Sequence, residues 1–183
     1  MPRDHDGDEL ITTLAFDAGR GDRAALAAWV RATQRDVWRF TAHLAGTAMA
    51  DDLTQETYLR AIGSLHRFAG RSSSRTWVLS IARRVVVDQL RTASSRPRLA
   101  ELPDWQEADD RTARGFEDIV ELRVLLDALD PERREALLLT QVLGLSYAEA
   151  AEVVGCPVGT IRSRVFRARE DLLGFGREQD NAM

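Results

Sequence analysis

The chain contains no lysine; all 25 of its basic residues are arginine. This reads chiefly as the codon bias of a GC-rich genome, and secondarily as a supply of planar forks suited to bidentate phosphate contacts. Cysteine is almost absent too. Cys156 stands alone, which excludes an internal disulfide, and its place beside a helical corner suggests a small packing residue rather than a redox sensor. Only three histidines occur (His5, His43, His66), with no metal-like spacing among the acids, so zinc and other metals are not expected. No apolar run approaches the roughly 20 residues that a membrane span needs. The first ten residues, MPRDHDGDEL, are acidic and lack an apolar core, so no signal peptide, no membrane insertion and a cytoplasmic location are expected. Convergent polar groups of the enzymatic kind are missing as well: Asp51 and Asp52 are adjacent and point to different sides. Neither an enzyme nor a bound cofactor is expected.

What is present is helical. At 183 residues with 44% hydrophobic and 30% charged content, the chain suits a globular all-α protein of two small domains joined by a flexible linker. The net charge of −4 hides a pattern. From Arg60 to Arg91 there are seven arginines against one acid, and from Val158 to Arg169 four against none. Between them the stretch from Glu101 to Asp127 is strongly acidic.

The stretch LSYAEAAEVVGCPVGTIRSRVFRAR, Leu145 to Arg169, reads as a helix-turn-helix. Ser146 with Glu149 three positions on forms a capping box that starts a helix. Gly155 can adopt the left-handed conformation that stops it, and Pro157 and Thr160 suit the opening turn of the next. In that second helix Val158, Ile161, Val165, Ala168 and Leu172 share an apolar face. At about 100° per residue, Gly159, Arg162, Ser163, Phe166, Arg167 and Glu170 fall opposite, with Arg164 and Arg169 on the flanks. Such a face can set guanidinium forks on guanine edges or phosphates and an aromatic ring against a thymine methyl.

Upstream, a first helix is expected over Leu10–Ala18. A second is capped by Asp22 and runs to about Leu44 with Trp29, Trp38 and Phe40 in its core; a third spans about Ala48–Leu65 and a fourth about Ser74–Arg91. Asp130 before Pro131 and Glu132 signals another helix start, giving helices over Phe116–Leu129 and Pro131–Leu143. In the third helix Leu53, Thr54, Thr57, Tyr58, Ala61 and Leu65 face inward, leaving Leu59 outside among Asp52, Gln55 and Glu56. A stranded leucine with a polar rim is how a partner helix is gripped. The fourth helix sets Trp77, Val78, Ile81, Ala82, Val85 and Val86 on one side and Thr76, Ser80, Arg83, Arg84, Val87 and Arg91 on the other. Before it lies HRFAGRSSSR, His66 to Arg75, a small-residue loop whose Phe68 reads equally as a base-stacking ring beside an arginine-rich face or as a core ring.

Four segments together resemble a known family: DDLTQETYLRAI (Asp51–Ile62), RFAGRSSSRTW (Arg67–Trp77), IARRVVVDQLR (Ile81–Arg91) and Leu129–Glu170. In their order and over nearly the whole length they are similar to bacterial extracytoplasmic-function sigma factors, most like the actinobacterial sigma C type. The resemblance implies a transcription initiation factor that binds RNA polymerase core, recognises the minus-35 and minus-10 promoter elements and opens them. It implies a region 2 domain over 1–94, a linker over 95–114 and a region 4 domain over 115–183. Asp52, Gln55, Glu56 and Leu59 would meet the clamp helices of the largest polymerase subunit, and the C-terminal domain the flap. Phe68, Arg71, Ser72, Ser73, Arg75, Thr76, Ser80, Arg83, Arg84 and Arg91 would handle the minus-10 element. Thr160, Arg162, Ser163, Arg164, Phe166 and Arg167 would read the minus-35 element. An anti-sigma factor is a further partner that the resemblance admits. One departure is Arg84, where many members carry asparagine. A conventional dimeric helix-turn-helix regulator accounts only for the C-terminal half and leaves the third-helix face and the Phe68 loop without a task.

Overall fold

The structure is a computed structural model that describes residues 5–95, 126 and 128–180. The expected linker and the helix placed over Phe116–Leu129 lie outside these residues, save for a few at their ends. Among the described residues there are seven α-helices and no strand.

Four helices make the N-terminal unit: α1 (His5–Gly19), α2 (Arg23–Ala45), α3 (Thr47–Ser64) and α4 (Ser74–Ser95). Asp22 caps α2 as its position implies, its carboxylate accepting from the Ala24 and Ala25 amides, and so satisfying donors that a helix start leaves free. A 3-10 turn, Leu65–Arg67, closes α3. Trp29, Val37 and Phe40 of α2 are fully buried, with Leu53 and Tyr58 of α3 and Val78, Leu79 and Ala82 of α4 packed about them. Trp38 departs from the expected core placement. It is 40% exposed, and its indole N–H donates to Asp51 Oδ1 at 2.7 Å, which ties α2 to α3 at the surface.

Polar side chains inside this core are satisfied. Tyr58 and Thr33 share a hydroxyl contact of 2.7 Å, and burial pushes the Tyr58 phenol up to about 12. Ser74 is the more consequential group. Its hydroxyl accepts from Trp29 Nε1 (3.1 Å) and donates to the Ile11 carbonyl (3.2 Å), while its own amide donates to Thr12 Oγ1 (3.0 Å). One fully buried serine thereby joins α1, α2 and the start of α4. Ser73 caps that start, its hydroxyl accepting from the Thr76 amide at 3.2 Å.

The C-terminal unit contains α5 (Pro131–Leu137), α6 (Tyr147–Val154) and α7 (Val158–Asp180). Asp130 caps α5 by accepting from the Glu132 amide. The helix does not continue regularly to Leu143. It widens into a π turn over Leu138–Val142, and Gly144 (φ +68°) ends it, with the Leu145 amide reaching back to the Leu139 carbonyl at 2.8 Å. That is a left-handed stop suited to glycine. The expected capping box is formed: Ser146 Oγ accepts from the Glu149 amide (3.2 Å) and Glu149 Oε2 accepts from the Ser146 amide (2.8 Å). Gly155 ends α6 at φ +74°. Ile161, Val165 and Ala168 of α7 face the core, whereas Val158, at the helix start, is half exposed.

The two units touch. The buried apolar side chains form one continuous cluster, α6 packs against α4, and two arginines of α4 reach across. Arg83 makes a fork with Glu135, Nε to Oε1 at 2.7 Å and Nη2 to Oε2 at 3.2 Å. Arg75 bonds Asp36 of α2 through Nε (2.5 Å) and donates through Nη2 to the Leu143 carbonyl (2.8 Å), which the end of the π turn leaves available.

Two expectations follow. Ser74→Ala leaves the buried Trp29 N–H without an acceptor, and urea unfolding of the full chain should show a loss of about 1–3 kcal/mol. Glu135→Arg places a like charge against Arg83. Dyes attached to the two units should then report a larger separation by energy transfer than in the unsubstituted chain, with helix content unchanged.

Candidate nucleic-acid interface

The recognition helix separates its arginines into two sets. Arg164 is inside the unit's own ion pairs, bonded to Glu132 at the start of α5. Arg169 donates to Gln141 Oε1 at 2.8 Å. Arg164 therefore braces α7 against α5 from the flank where the periodicity put it, and is not presented outward among the minus-35 readers with which the resemblance grouped it. A further tie joins Arg133 to Asp171 at 2.7 Å. Arg162 and Arg167 are exposed and make no side-chain bond with any described residue. Phe166 beside them is 61% exposed. Ser163 keeps its hydroxyl bonded to the Thr160 carbonyl (2.9 Å), which leaves its oxygen able to accept. Thr160 sits half-buried in the first turn of α7. The result is a solvent-facing strip of two forks, a hydroxyl and a ring, held rigidly by the braced arginines on its flanks.

The second basic region divides differently. Arg71, Arg84 and Arg91 are exposed. Arg84 folds back along its own helix, donating to the Ser80 carbonyl at 3.2 Å and to its hydroxyl at 3.3 Å. Ser72 and Ser80 are half-buried, and Ser73 is committed to the α4 cap. Phe68, however, is only 9% exposed and lies between Phe16 and Trp77, with centroid separations of 5.1 Å to each. Its ring is core, so it does not offer a free stacking face. Thr76 is likewise interior, at 2% exposure. Arg75 and Arg83 are engaged by Asp36, the Leu143 carbonyl and Glu135. Part of the α4 face is thus covered by the C-terminal unit in this arrangement.

The outer face of α3 stands open. Leu59 is 63% exposed, flanked by exposed Asp52 and Gln55 and half-buried Glu56, which pairs with Arg60 at 2.7 Å. Arg60 also pairs with Asp88 of α4 at 2.9 Å, and these two acids raise its pKa. Ile62, three residues on, is half exposed as well. It extends the apolar patch, and its spacing from Leu59 was the signal that could have identified it. Among the described residues no group of histidine, cysteine and acids could hold a metal. Nor is any helix there long and apolar enough to cross a membrane.

The arrangement has known counterparts. The Sigma-70 region 2 family matches residues 29–96, and the Sigma-70, region 4 family matches 119–172. The ECF RNA polymerase sigma factor SigC of Mycobacterium tuberculosis is 57% identical over 175 residues, covering 94% of this chain and 95% of the relative. Among solved structures, the sigma factor RpoE of Bartonella quintana, in complex with the anti-sigma factor NepR, aligns at 26% identity with a TM-score of 0.64 over 83% of this chain and 96% of that one. CnrH in complex with the cytosolic domain of CnrY shares the fold at a TM-score of 0.73 and 23% identity, over 92% of this chain and 98% of that one. With both sigma regions in order along it and that identity to a curated relative over nearly its whole length, the chain belongs to the extracytoplasmic-function sigma factors of bacterial RNA polymerase.

Proposed function

We propose that the protein is a transcription initiation subunit with no enzymatic activity of its own, acting in the cytoplasm on RNA polymerase core and promoter DNA. The observation that carries this reading is the separation of arginines on α7: Arg164 and Arg169 are spent inside the fold, and Arg162 and Arg167 are left beside Ser163 and Phe166 facing solvent. A free guanidinium pair with an accepting hydroxyl and an apolar ring matches the donors, acceptors and methyl groups of a major groove. Residues 115–183 then serve as the minus-35 reading domain, 1–94 as the domain for core and the minus-10 element, and 95–114 as the connection.

The polymerase contact falls to the outer face of α3. Leu59 with Ile62 supplies an apolar anchor, and Asp52, Gln55 and Glu56 a polar rim. This face is open while the two units are together, so core can be engaged first. The minus-10 surface on α4 is less accessible, because Arg75 and Arg83 hold the C-terminal unit. Phosphates would replace Glu135 and the Leu143 carbonyl as partners of these arginines once the units separate. Arg71 and Arg84, exposed and not bonded to the C-terminal unit, need no such release. The RpoE neighbour, solved with the anti-sigma factor NepR, supports an anti-sigma factor as a further partner.

Replacing Gln55, Glu56 and Leu59 together by alanine should weaken binding to core about 30-fold or more, measured by labelled-core titration. Melting of the variant should stay near that of the unsubstituted chain, because the three side chains lie at the surface. Retention of full core affinity would remove α3 from the interface. For the recognition helix, Arg162→Ala and Arg167→Ala should differ when the holoenzyme is tested on a randomised minus-35 library. Loss of a base-reading fork costs about 1–3 kcal/mol on the best sequence and flattens preference at one position. Loss of a phosphate clamp weakens all sequences alike and lowers the salt slope by about one. Unchanged preference and salt slope in both variants would show that this face does not touch DNA.

A further inference from the structure

Helix α4 carries four arginines, Arg75, Arg83, Arg84 and Arg91, and a single acid, Asp88. Asp88 follows Arg84 by four residues, the spacing at which two side chains on a helix surface are neighbours. Both residues are exposed. A carboxylate so placed repels an anion that approaches Arg84, and it competes with that anion for the guanidinium. The structure disposes of it sideways. Asp88 Oδ2 accepts from Arg60 Nη1 of α3 at 2.9 Å, across 28 residues of sequence. Arg84 turns the other way along its helix, donating through Nε to the Ser80 carbonyl (3.2 Å) and through Nη2 to the Ser80 hydroxyl (3.3 Å).

Arg60 is itself directed from its own helix. Its Nε donates to Glu56 Oε1, one turn back along α3, at 2.7 Å. One edge of the guanidinium is thereby occupied on α3 while Nη1 reaches α4 and the carboxylate there. As a brace for the fold the contact has little to offer. The two side chains are 44% and 55% exposed, and ion pairs in solvent add little to stability, whereas α3 and α4 already pack through the buried core. What the pair does change is the charge that an anion meets on α4.

We infer that Arg60 is a positioning residue for promoter binding: it draws the one carboxylate of α4 against α3, so that Arg84 meets phosphate without a competing anion. Arg60 itself need not touch DNA. The inference rests on the reading of α4 as a promoter surface proposed above and deepens it by naming a residue that acts on that surface through another.

The test is a double-substitution cycle in the holoenzyme, formed from the full chain and core before each titration because Arg60→Gln also frees Glu56 on the core-facing side of α3. Affinity for a promoter fragment is measured for Arg60→Gln, Asp88→Asn, the two together, and Arg84→Ala. Arg60→Gln should weaken binding about threefold, the effect of one unit charge about 6 Å away in water. Asp88→Asn alone should not weaken it. In the Asp88→Asn background, Arg60→Gln should then cost nothing, because the carboxylate it would release is gone. The same loss with and without the Asp88 carboxylate would mean that Arg60 acts on DNA directly, and a loss from Asp88→Asn as large as that from Arg60→Gln would mean that the pair is only a brace; either result overturns the inference. Full affinity in Arg60→Gln would overturn it as well. Arg84→Ala with undiminished affinity would instead remove Arg84 from the promoter surface, and the task assigned to Arg60 with it.

Discussion

Guanidinium groups at the edge of a dry interface must find acceptors, and on α4 that requirement joins the two ends of the chain. Arg83 meets Glu135 in a two-bond fork, and Arg75 spans Asp36 and the Leu143 carbonyl. The two arginines are eight residues apart on one helix, about 12 Å along its axis, so they act as two clamps on a common face. Charge-assisted bonds of this kind are roughly twice as strong as neutral ones, and Glu135 is nearly buried, so removing either partner strands a charge. The π turn and the Gly144 stop make the second clamp possible, since they end α5 with a carbonyl pointing out of the helix ladder.

The same bookkeeping of cations organises the remaining surface. A net charge of −4 coexists with three arginine-bearing faces because acids are used where arginines have to be fixed. Glu132 and Asp171 brace the recognition helix through Arg164 and Arg133. Glu56 and Asp88 hold Arg60 between α3 and α4. On these faces Arg162 and Arg167 of α7 and Arg71 near the loop make no side-chain bond with any described residue, and an anionic partner can reach them. The exposed apolar patch around Leu59 is on α3, a different helix from the one that carries Arg162 and Arg167, so the chain presents an apolar face and an arginine-bearing face separately.

Most of the local structure was legible in the sequence because it is written in short-range rules. Asp22, Asp130 and the Ser146–Glu149 box cap the helices they were expected to cap, and Gly155 stops α6 in the left-handed region. Leu59 stands outside α3 as its spacing implied. The misreadings share a cause. Trp38, expected inside, is held at the surface by Asp51; Arg164, grouped by the resemblance with the minus-35 readers, is taken by Glu132; Thr76, expected on the outer side of α4, is buried, and so is Phe68, which the sequence left open between a core ring and a base-stacking one. In each case the periodicity places the Cα correctly, and a neighbour from another helix decides where the side chain ends.

The sequence by itself determined an all-helical chain, the positions of its caps and stops, and which residues share each helix face, because these depend on contacts within three or four positions. Tertiary structure alone decided which arginines are free and which ring meets solvent. Arg83 and Glu135 are 52 residues apart, Arg75 and Leu143 are 68 apart, and Trp29 and Ser74 are 45 apart. No local pattern records such partners; they exist only once packing brings distant helices to hydrogen-bond distance and excludes the water that would otherwise solvate them.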